Sequence, residues 1–249
     1  MVPKRKDELT EDNKKKALRY LMFMKEKRDR TIKAWGCADG RSQHIYTQKE
    51  EASSPKVSLE AMMLSCGIDA KEGRYVAVTD IPGAFLHTYM KGTVHMILEG
   101  TSAKLIVKLE PKIYRKYVWH DKKGKPMLYV QLKKALYGTL QVSLLFWELL
   151  SNKLTGWGFK INPYDHCVAN KIVNRKQCTI IWHVDDLKIS HMDKDIVENV
   201  IENLEKKFSK ESPLVMAGGK VLEYLGMTLD HRVKGKVKLS MYDYVKKKS

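Results

Sequence analysis

The segment that most limits how this chain can fold is Cys178-Thr179-Ile180-Ile181-Trp182-His183-Val184-Asp185-Asp186-Leu187-Lys188-Ile189-Ser190. Two short apolar runs flank adjacent aspartates. This predicts a β-hairpin turning at Asp185-Asp186, with Ile180, Trp182 and Val184 on one face. Like charges crowded at the tip of an apolar hairpin repel each other, a cost that a bound cation removes. A second strand, Tyr75-Val76-Ala77-Val78-Thr79-Asp80-Ile81, lies upstream and is ended by Pro82-Gly83. Val76, Val78 and Asp80 alternate on one of its sides. If the two strands are sheet neighbours, three carboxylates converge into an oxygen-only donor set that suits two Mg²⁺ ions. Taken alone, Asp-Asp is also simply a good turn.

The charge points to a polyanionic partner. The chain carries 46 Lys+Arg against 29 Asp+Glu, a formal net charge of +17. Residues 1–33 hold twelve basic and six acidic side chains, residues 104–134 ten and two, and residues 232–249 seven and one. Three basic stretches suit a groove that follows a phosphate backbone. A lysine-rich soluble surface is the plainer alternative. No apolar run approaches the ~18 residues a helical membrane span needs, so no membrane partner is expected. The N-terminus is charged and reads as no secretory signal. Cys37, Cys66, Cys167 and Cys178 are far apart and form no C-x-x-C. They read as free thiols of a reducing compartment.

The remaining pattern predicts an α+β fold. Residues 11–28 read as a helix with Ala17, Leu18, Leu21 and Met22 on one side. Residues 29–57 read as turn-rich. Ser58 reads as the N-cap of a helix to about Ile68. Leu105-Ile106-Val107 and Leu128-Tyr129-Val130 read as short strands. Leu140 to Leu154 reads as an apolar helix, and Asp193 to Phe208 as an amphipathic one. A last hairpin is expected from Val221 to Leu239, turning near Lys234-Gly235.

Five segments, in order, resemble the reverse transcriptase domain of copia-type long-terminal-repeat retrotransposons. They are Asp80-Ile81-Pro82-Gly83-Ala84-Phe85-Leu86; Leu132 to Gln141 with Phe146-Trp147; Gly158-Phe159 with Asp165-His166-Cys167-Val168; Val184-Asp185-Asp186; and Tyr224-Leu225-Gly226-Met227. The resemblance implies a right-hand polymerase with fingers (1–75, and an insertion at about 95–135), an antiparallel palm sheet with packed helices (76–229), and only the start of a thumb or connection (230–249). It implies an RNA template, a DNA primer and deoxynucleoside triphosphates as partners, with Mg²⁺ (or Mn²⁺) as cofactor. Other parts of a retrotransposon polyprotein would be further partners. The expected locale is a cytoplasmic virus-like particle, the nucleus, or both. The protease, thumb and ribonuclease H regions are expected to lie outside this chain.

By the same resemblance, Asp80, Asp185 and Asp186 are the catalytic, metal-binding carboxylates, and Ile81 offers a backbone carbonyl beside them. Phe85 would exclude a 2′-hydroxyl, although core packing explains a Phe there equally well. Tyr137, Gly138 and Gln141 would line the nucleotide pocket, and Arg41 of Asp39-x-Arg41 would support it. His183, Tyr224, Leu225 and Gly226 would touch nucleic acid. Lys33 and Arg28 are candidate triphosphate contacts, and Lys206 and Lys207 candidate proton donors to pyrophosphate. Trp35 departs from the family's K-A-R pattern, where an arginine would grip the triphosphate. Two other readings stay open: a non-catalytic nucleic-acid-binding relic, and a basic scaffold unrelated to polymerases. The last requires Asp80 to lie far from Asp185 and Asp186.

Overall fold

In the computed structural model, residues 1–26, 30–48, 52–209 and 212–246 are described. In chain order the elements are β1 (Val2–Lys4), α1 (Glu11–Lys16), β2 (Leu18–Glu26), β3 (Ile32–Ala38), α2 (Leu59–Glu72), β4 (Tyr75–Asp80), β5 (Tyr89–Glu99), α3 (Thr101–Leu109), α4 (Pro111–Tyr114), β6 (Trp119–His120) and β7 (Pro126–Lys134). There follow α5 (Val142–Gly156), β8 (Lys160–Ile161), β9 (Val168–Val173), β10 (Lys176–His183), β11 (Asp186–His191), α6 (Lys194–Phe208), β12 (Val215–Gly218), β13 (Val221–Tyr224), β14 (Met227–Asp230), β15 (Lys238–Ser240) and α7 (Tyr242–Lys246). The content is mixed α and β, as expected.

The chain divides into two units, residues 1–53 with 85–145 and residues 54–84 with 146–249. This cuts differently from the expected boundary at 75/76. Residues 54–75 belong with the aspartate-bearing strands, and the inserted segment is longer than 95–135. Residues from 230 onward pack with the second unit and are not a separate piece.

In the first unit a sheet runs β1-β7-β5-β2-β3, with β6 on β7. Its buried face holds Leu18, Met96, Leu98, Leu128, Val130 and Leu132, covered by Ala103 and Tyr114. Two expectations are corrected here. The helix predicted over 11–28 stops at Lys16, where Ala17 turns extended, and Leu18–Glu26 forms a strand. Its apolar residues satisfy both a helical and a two-residue spacing. Pairing of Tyr20–Glu26 with Ile32–Ala38, inside the supposed turn-rich stretch, decides for strand. Conversely, Leu105-Ile106-Val107 lies in α3. Ala103, Ile106 and Val107 face the core at helical spacing, while Lys104 and Lys108 are exposed.

In the second unit the sheet order is β12-β4-β11-β10-β9-β8, antiparallel at every pairing. Helix α2 begins at Ser58, whose hydroxyl accepts the Ala61 N–H, and ends at Gly73 in the left-handed region. It extends past the predicted Ile68 to Glu72. The Asp165 carboxylate accepts both the Ser58 N–H (2.8 Å) and its hydroxyl (2.9 Å), which ties the helix start to the loop before β9. Met62 and Cys66 pack on Val76, Val78 and Ile181. The predicted α6 stripe is buried at Val197, Val200, Ile201, Leu204 and Phe208, and the Phe208 ring meets Phe146 edge-on. The single hairpin expected over 221–239 is a three-stranded sheet, β13-β14-β15. Its first turn is Leu225-Gly226, both at positive φ, which lets β13 fold straight back into β14.

Candidate active site

The geometry of the aspartates follows from strand pairing. Asp80 is the last residue of β4 and Asp186 the first of β11, and the two are direct partners across the antiparallel pair. Beyond them, the Ile81 N–H donates to the Asp185 carbonyl at 3.1 Å. The hairpin tip is thus fixed to the end of β4, and the scaffold reading that needed Asp80 far away fails.

His183 pairs with Asp186, so the turn is Val184-Asp185, one residue earlier than expected. Asp185 is at the tip and Asp186 is already in the strand. Val184 has φ +59°, a left-handed conformation that β-branched residues rarely adopt, and one maintained only by its surroundings. Burial pushes the Asp186 carboxyl up to about 6, and the charges of Asp185 and then Asp80 add to this.

As a donor set, three carboxylates on adjoining strand ends, with no thiolate among them, have the chemistry of ligands to a hard divalent cation. Their gathering is a property of the backbone. Among the described residues, no group of three or more His, Cys, Asp or Glu side chains converges so as to hold an ion. Ile81 itself is fully buried and anchors this corner through its amide.

The residues expected to touch nucleic acid differ in placement. His183 is half-buried at the end of β10. Tyr224 is corrected: its side chain is buried in the core with Met62, Cys66 and Val76. Its hydroxyl donates to the Asp186 carbonyl at 3.4 Å, and burial raises its pKa. The ring supports the catalytic strand from inside and presents no surface to a partner. Leu225 packs against the same core, and Gly226 completes the turn.

Lys188 escaped the sequence reading. It is two residues after Asp186, fully buried, and its ammonium contacts Asp69 and donates to the Ser65 hydroxyl at 2.9 Å. Arg74, also buried, lies 3.9 Å from Asp69. The available signal was a lysine inside an otherwise apolar strand.

In the first unit, Tyr137-Gly138 docks on the stretch after β3. The Ala38 N–H donates to the Tyr137 carbonyl at 2.8 Å, and the Gln43 side chain accepts the Leu140 N–H at 3.0 Å. Gly138 has φ +89°, and a side chain there would run into the Ala38 carbonyl. Gln43, buried, is a second residue that sequence reasoning missed. The Tyr137 ring, exposed, lies 5.7 Å from Phe85. Phe85 also packs against Ala135, Val142 and Leu145. Gln141 is half-buried just before α5.

Arg41 forms a two-pronged pair with Asp39, Nε at 2.8 Å and Nη2 at 2.6 Å, which holds the Asp39 carboxyl at about 2. Trp35 stacks on Phe23 across β2 and β3 at 5.8 Å, and the Lys33 ammonium lies 6.0 Å from the Trp35 ring. Lys206 ends α6 beside Glu202 at 3.7 Å. Arg28 lies outside the described residues. The four cysteines are free and buried, and no described helix is long and apolar enough to cross a membrane.

Residues 7–248 match the model of the family described as reverse transcriptase (RNA-dependent DNA polymerase), and the chain belongs to that family. Within it, the copia-type retrotransposon character read from the five segments holds: a transposon Ty5-1 protein of Saccharomyces cerevisiae is 28% identical over 117 residues, which are 47% of this chain and 36% of that protein. Among solved structures, telomerase from Candida albicans in complex with a fragment of telomeric RNA has a TM-score of 0.46 at 8% identity, covering 93% of this chain and 48% of that one. Apo telomerase from Candida tropicalis has a TM-score of 0.41 at 11% identity, covering 80% and 38%. The chain spans less than half the length of each of these proteins.

Proposed function

We propose that this chain is the polymerase part of a retrotransposon reverse transcriptase, extending a DNA primer on an RNA template. The observation that carries the proposal is the direct pairing of Asp80 with Asp186 while Asp185 occupies the adjoining turn. In the reaction the primer 3′-hydroxyl attacks the α-phosphorus of a deoxynucleoside triphosphate. A new P–O bond forms, the bond to pyrophosphate breaks, pyrophosphate leaves, and the hydroxyl proton passes to solvent water. Two Mg²⁺ ions, or Mn²⁺, held by Asp80, Asp185 and Asp186, would supply charge neutralisation and a more acidic hydroxyl.

The chain's own residues set the stage. Three carboxylates fixed to a rigid sheet corner mark where positive charge is wanted, and Tyr224 holds the Asp186 backbone from behind. Phe85 and Tyr137 offer a sugar- and base-facing pair of rings, with Gln141 following. Arg41, neutralised by Asp39, acts as a fold element of its loop more than as a free phosphate ligand. The basic segments follow the nucleic-acid backbone. Further polyprotein segments, and a particle in the cytoplasm or nucleus, belong to this reading.

A second reading, a nucleic-acid-binding relic without turnover, is favoured by Trp35 where the family pattern has an arginine. Primer extension with and without Mg²⁺, by wild type and Asp185→Asn, separates the two. Mg²⁺-dependent extension lost in Asp185→Asn supports the polymerase. Primer–template binding with no extension by either protein supports the relic.

A further inference from the structure

We infer that Gln43 is a positioning residue of the nucleotide site. Through the backbone amide of Leu140 it fixes the segment from Tyr137 to Gln141, and so sets the Tyr137 ring opposite Phe85. The inference deepens the polymerase reading and rests on it, because Tyr137, Gly138 and Gln141 face a nucleotide only by that reading.

The segment between β7 and α5 is shaped locally but attached from outside. The Thr139 amide and hydroxyl both donate to the Leu136 carbonyl, at 3.2 and 2.9 Å, which closes the turn. Attachment comes from the residues after β3. The Ala38 N–H donates to the Tyr137 carbonyl at 2.8 Å, and the Gln43 Oε1 accepts the Leu140 N–H at 3.0 Å. Gln43 is only 4% exposed. Its own carbonyl accepts the Tyr46 and Thr47 N–H groups at 3.1 and 2.9 Å. Held by its backbone as well as its side chain, it presents the acceptor in one place. Between these bonds the chain crosses itself at Gly40 and Gly138. A side chain on Gly40 would run into the Gly138 carbonyl, and one on Gly138 into the Ala38 carbonyl. Glycine at both positions lets the two backbones touch.

The opposite wall has its own anchor. The Thr88 N–H and hydroxyl donate to the Phe85 carbonyl at 3.1 and 2.9 Å, and the Ala135 N–H donates to the Thr88 carbonyl at 2.9 Å. The Phe85 ring packs on Ala135, Val142 and Leu145. The 5.7 Å between the Phe85 and Tyr137 rings is therefore set by two attachments, and Gln43 governs the Tyr137 side. Removing its acceptor should weaken nucleotide binding. It should leave the choice of sugar alone, since exclusion of a 2′-hydroxyl falls to Phe85.

The test is primer extension by the full chain on a DNA primer annealed to RNA, with Mg²⁺. It measures kcat and KM for a deoxynucleoside triphosphate and for its ribo counterpart. Wild type is compared with three variants. Gln43→Met keeps the length and removes the acceptor. Gln43→Glu keeps an accepting oxygen in either protonation state. Leu98→Val is a truncation in the buried face of the same unit's sheet and serves as the stability control. Gln43→Met should raise KM roughly three- to tenfold, the worth of one neutral hydrogen bond. Its kcat should stay within about twofold of wild type, with the preference for deoxynucleotides unchanged. Gln43→Glu should restore KM, and Leu98→Val should lower the melting temperature without moving KM. Hydrogen exchange over residues 137–141 should quicken in Gln43→Met alone.

An unchanged KM in Gln43→Met, with exchange over 137–141 quickened, would overturn the positioning role. So would an equal rise in KM in Leu98→Val, or a Gln43→Glu as impaired as Gln43→Met. If Gln43→Met does not melt cooperatively, Gly40→Ala carries the same expectation: it forces the crossing apart with the Gln43 side chain still present, and an unchanged KM there overturns the inference equally. A wild type that extends no primer removes the polymerase reading and this inference with it. Extension by wild type with KM unaltered in Gln43→Met removes this inference alone.

Discussion

Asp186 faces Asp80 directly across the β4–β11 pair. The pairing that builds the sheet is therefore also what assembles the charge cluster, and stability and function pull against each other at one pair of residues. A carboxyl whose pKa is raised on folding favours the folded state when protonated. For Asp186, raised to about 6, that contribution is complete below its ordinary value near 4 and lost as pH climbs through 6. In EDTA, Asp186→Asn should gain on wild type as pH rises from 4 to 7, by roughly 2–5 °C in Tm. Asp185→Asn should also exceed wild type at pH 7 in EDTA, and Mg²⁺ should shrink both gaps. A gap that stays constant with pH, followed by differential scanning fluorimetry, would refute the account in which burial and then the neighbouring aspartates raise the Asp186 carboxyl.

The buried Lys188–Asp69 pair sets a second expectation. Lys188→Met leaves buried Asp69 with only Arg74, 3.9 Å away, and should cost up to about 3–5 kcal/mol in urea unfolding. The double change Lys188→Met/Asp69→Leu should recover most of that loss, because paired apolar groups carry no such penalty. Equal destabilisation by the single and double variants would show that the charges themselves are not the issue.

Tyr224 distinguishes a supporting ring from a nucleic-acid contact. Tyr224→Phe keeps the packing and removes only a long hydrogen bond, so it should cost about 0.5–1 kcal/mol and leave primer–template affinity unchanged. Tyr224→Ala should cost roughly 3–5 kcal/mol. An affinity drop in Tyr224→Phe without a stability change would restore the contact role.

Trp35 stacks on Phe23, at the position where the family resemblance puts an arginine. A charge-assisted contact is worth about 1.5–3 kcal/mol. Trp35→Arg should therefore raise kcat/KM for nucleotide roughly tenfold to a few hundredfold. Vigorous wild-type synthesis with no gain from the arginine would show that the tryptophan is no defect.

What was legible in the sequence was what depends on neighbours in sequence. Ser58 and Asp193 bound their helices through local hydrogen bonds, whereas the end of α2 at Gly73 was placed too early, at Ile68. The α6 stripe has one period and one outcome. The three aspartates were singled out by the five-segment resemblance, since Asp-Asp alone reads equally as a turn. Leu18–Glu26 fitted two periods, and only its partner strand, paired with it at positions six to eighteen residues further on, chose between them. Leu105–Val107 had the composition of a strand but the spacing of a helix face. Tyr224 could not be assigned because inside and outside differ only once the three-stranded sheet is in place. The one-residue error at the hairpin tip has the same origin: register belongs to two strands, and each alone is silent about it.

The strained backbone at Val184 has a genetic corollary. Every valine codon is a single base change from a glycine codon, and glycine adopts a positive φ without steric penalty. Relief of the strain next to Asp185 is therefore one mutational step away, at a position that no ordinary repacking of the core can ease.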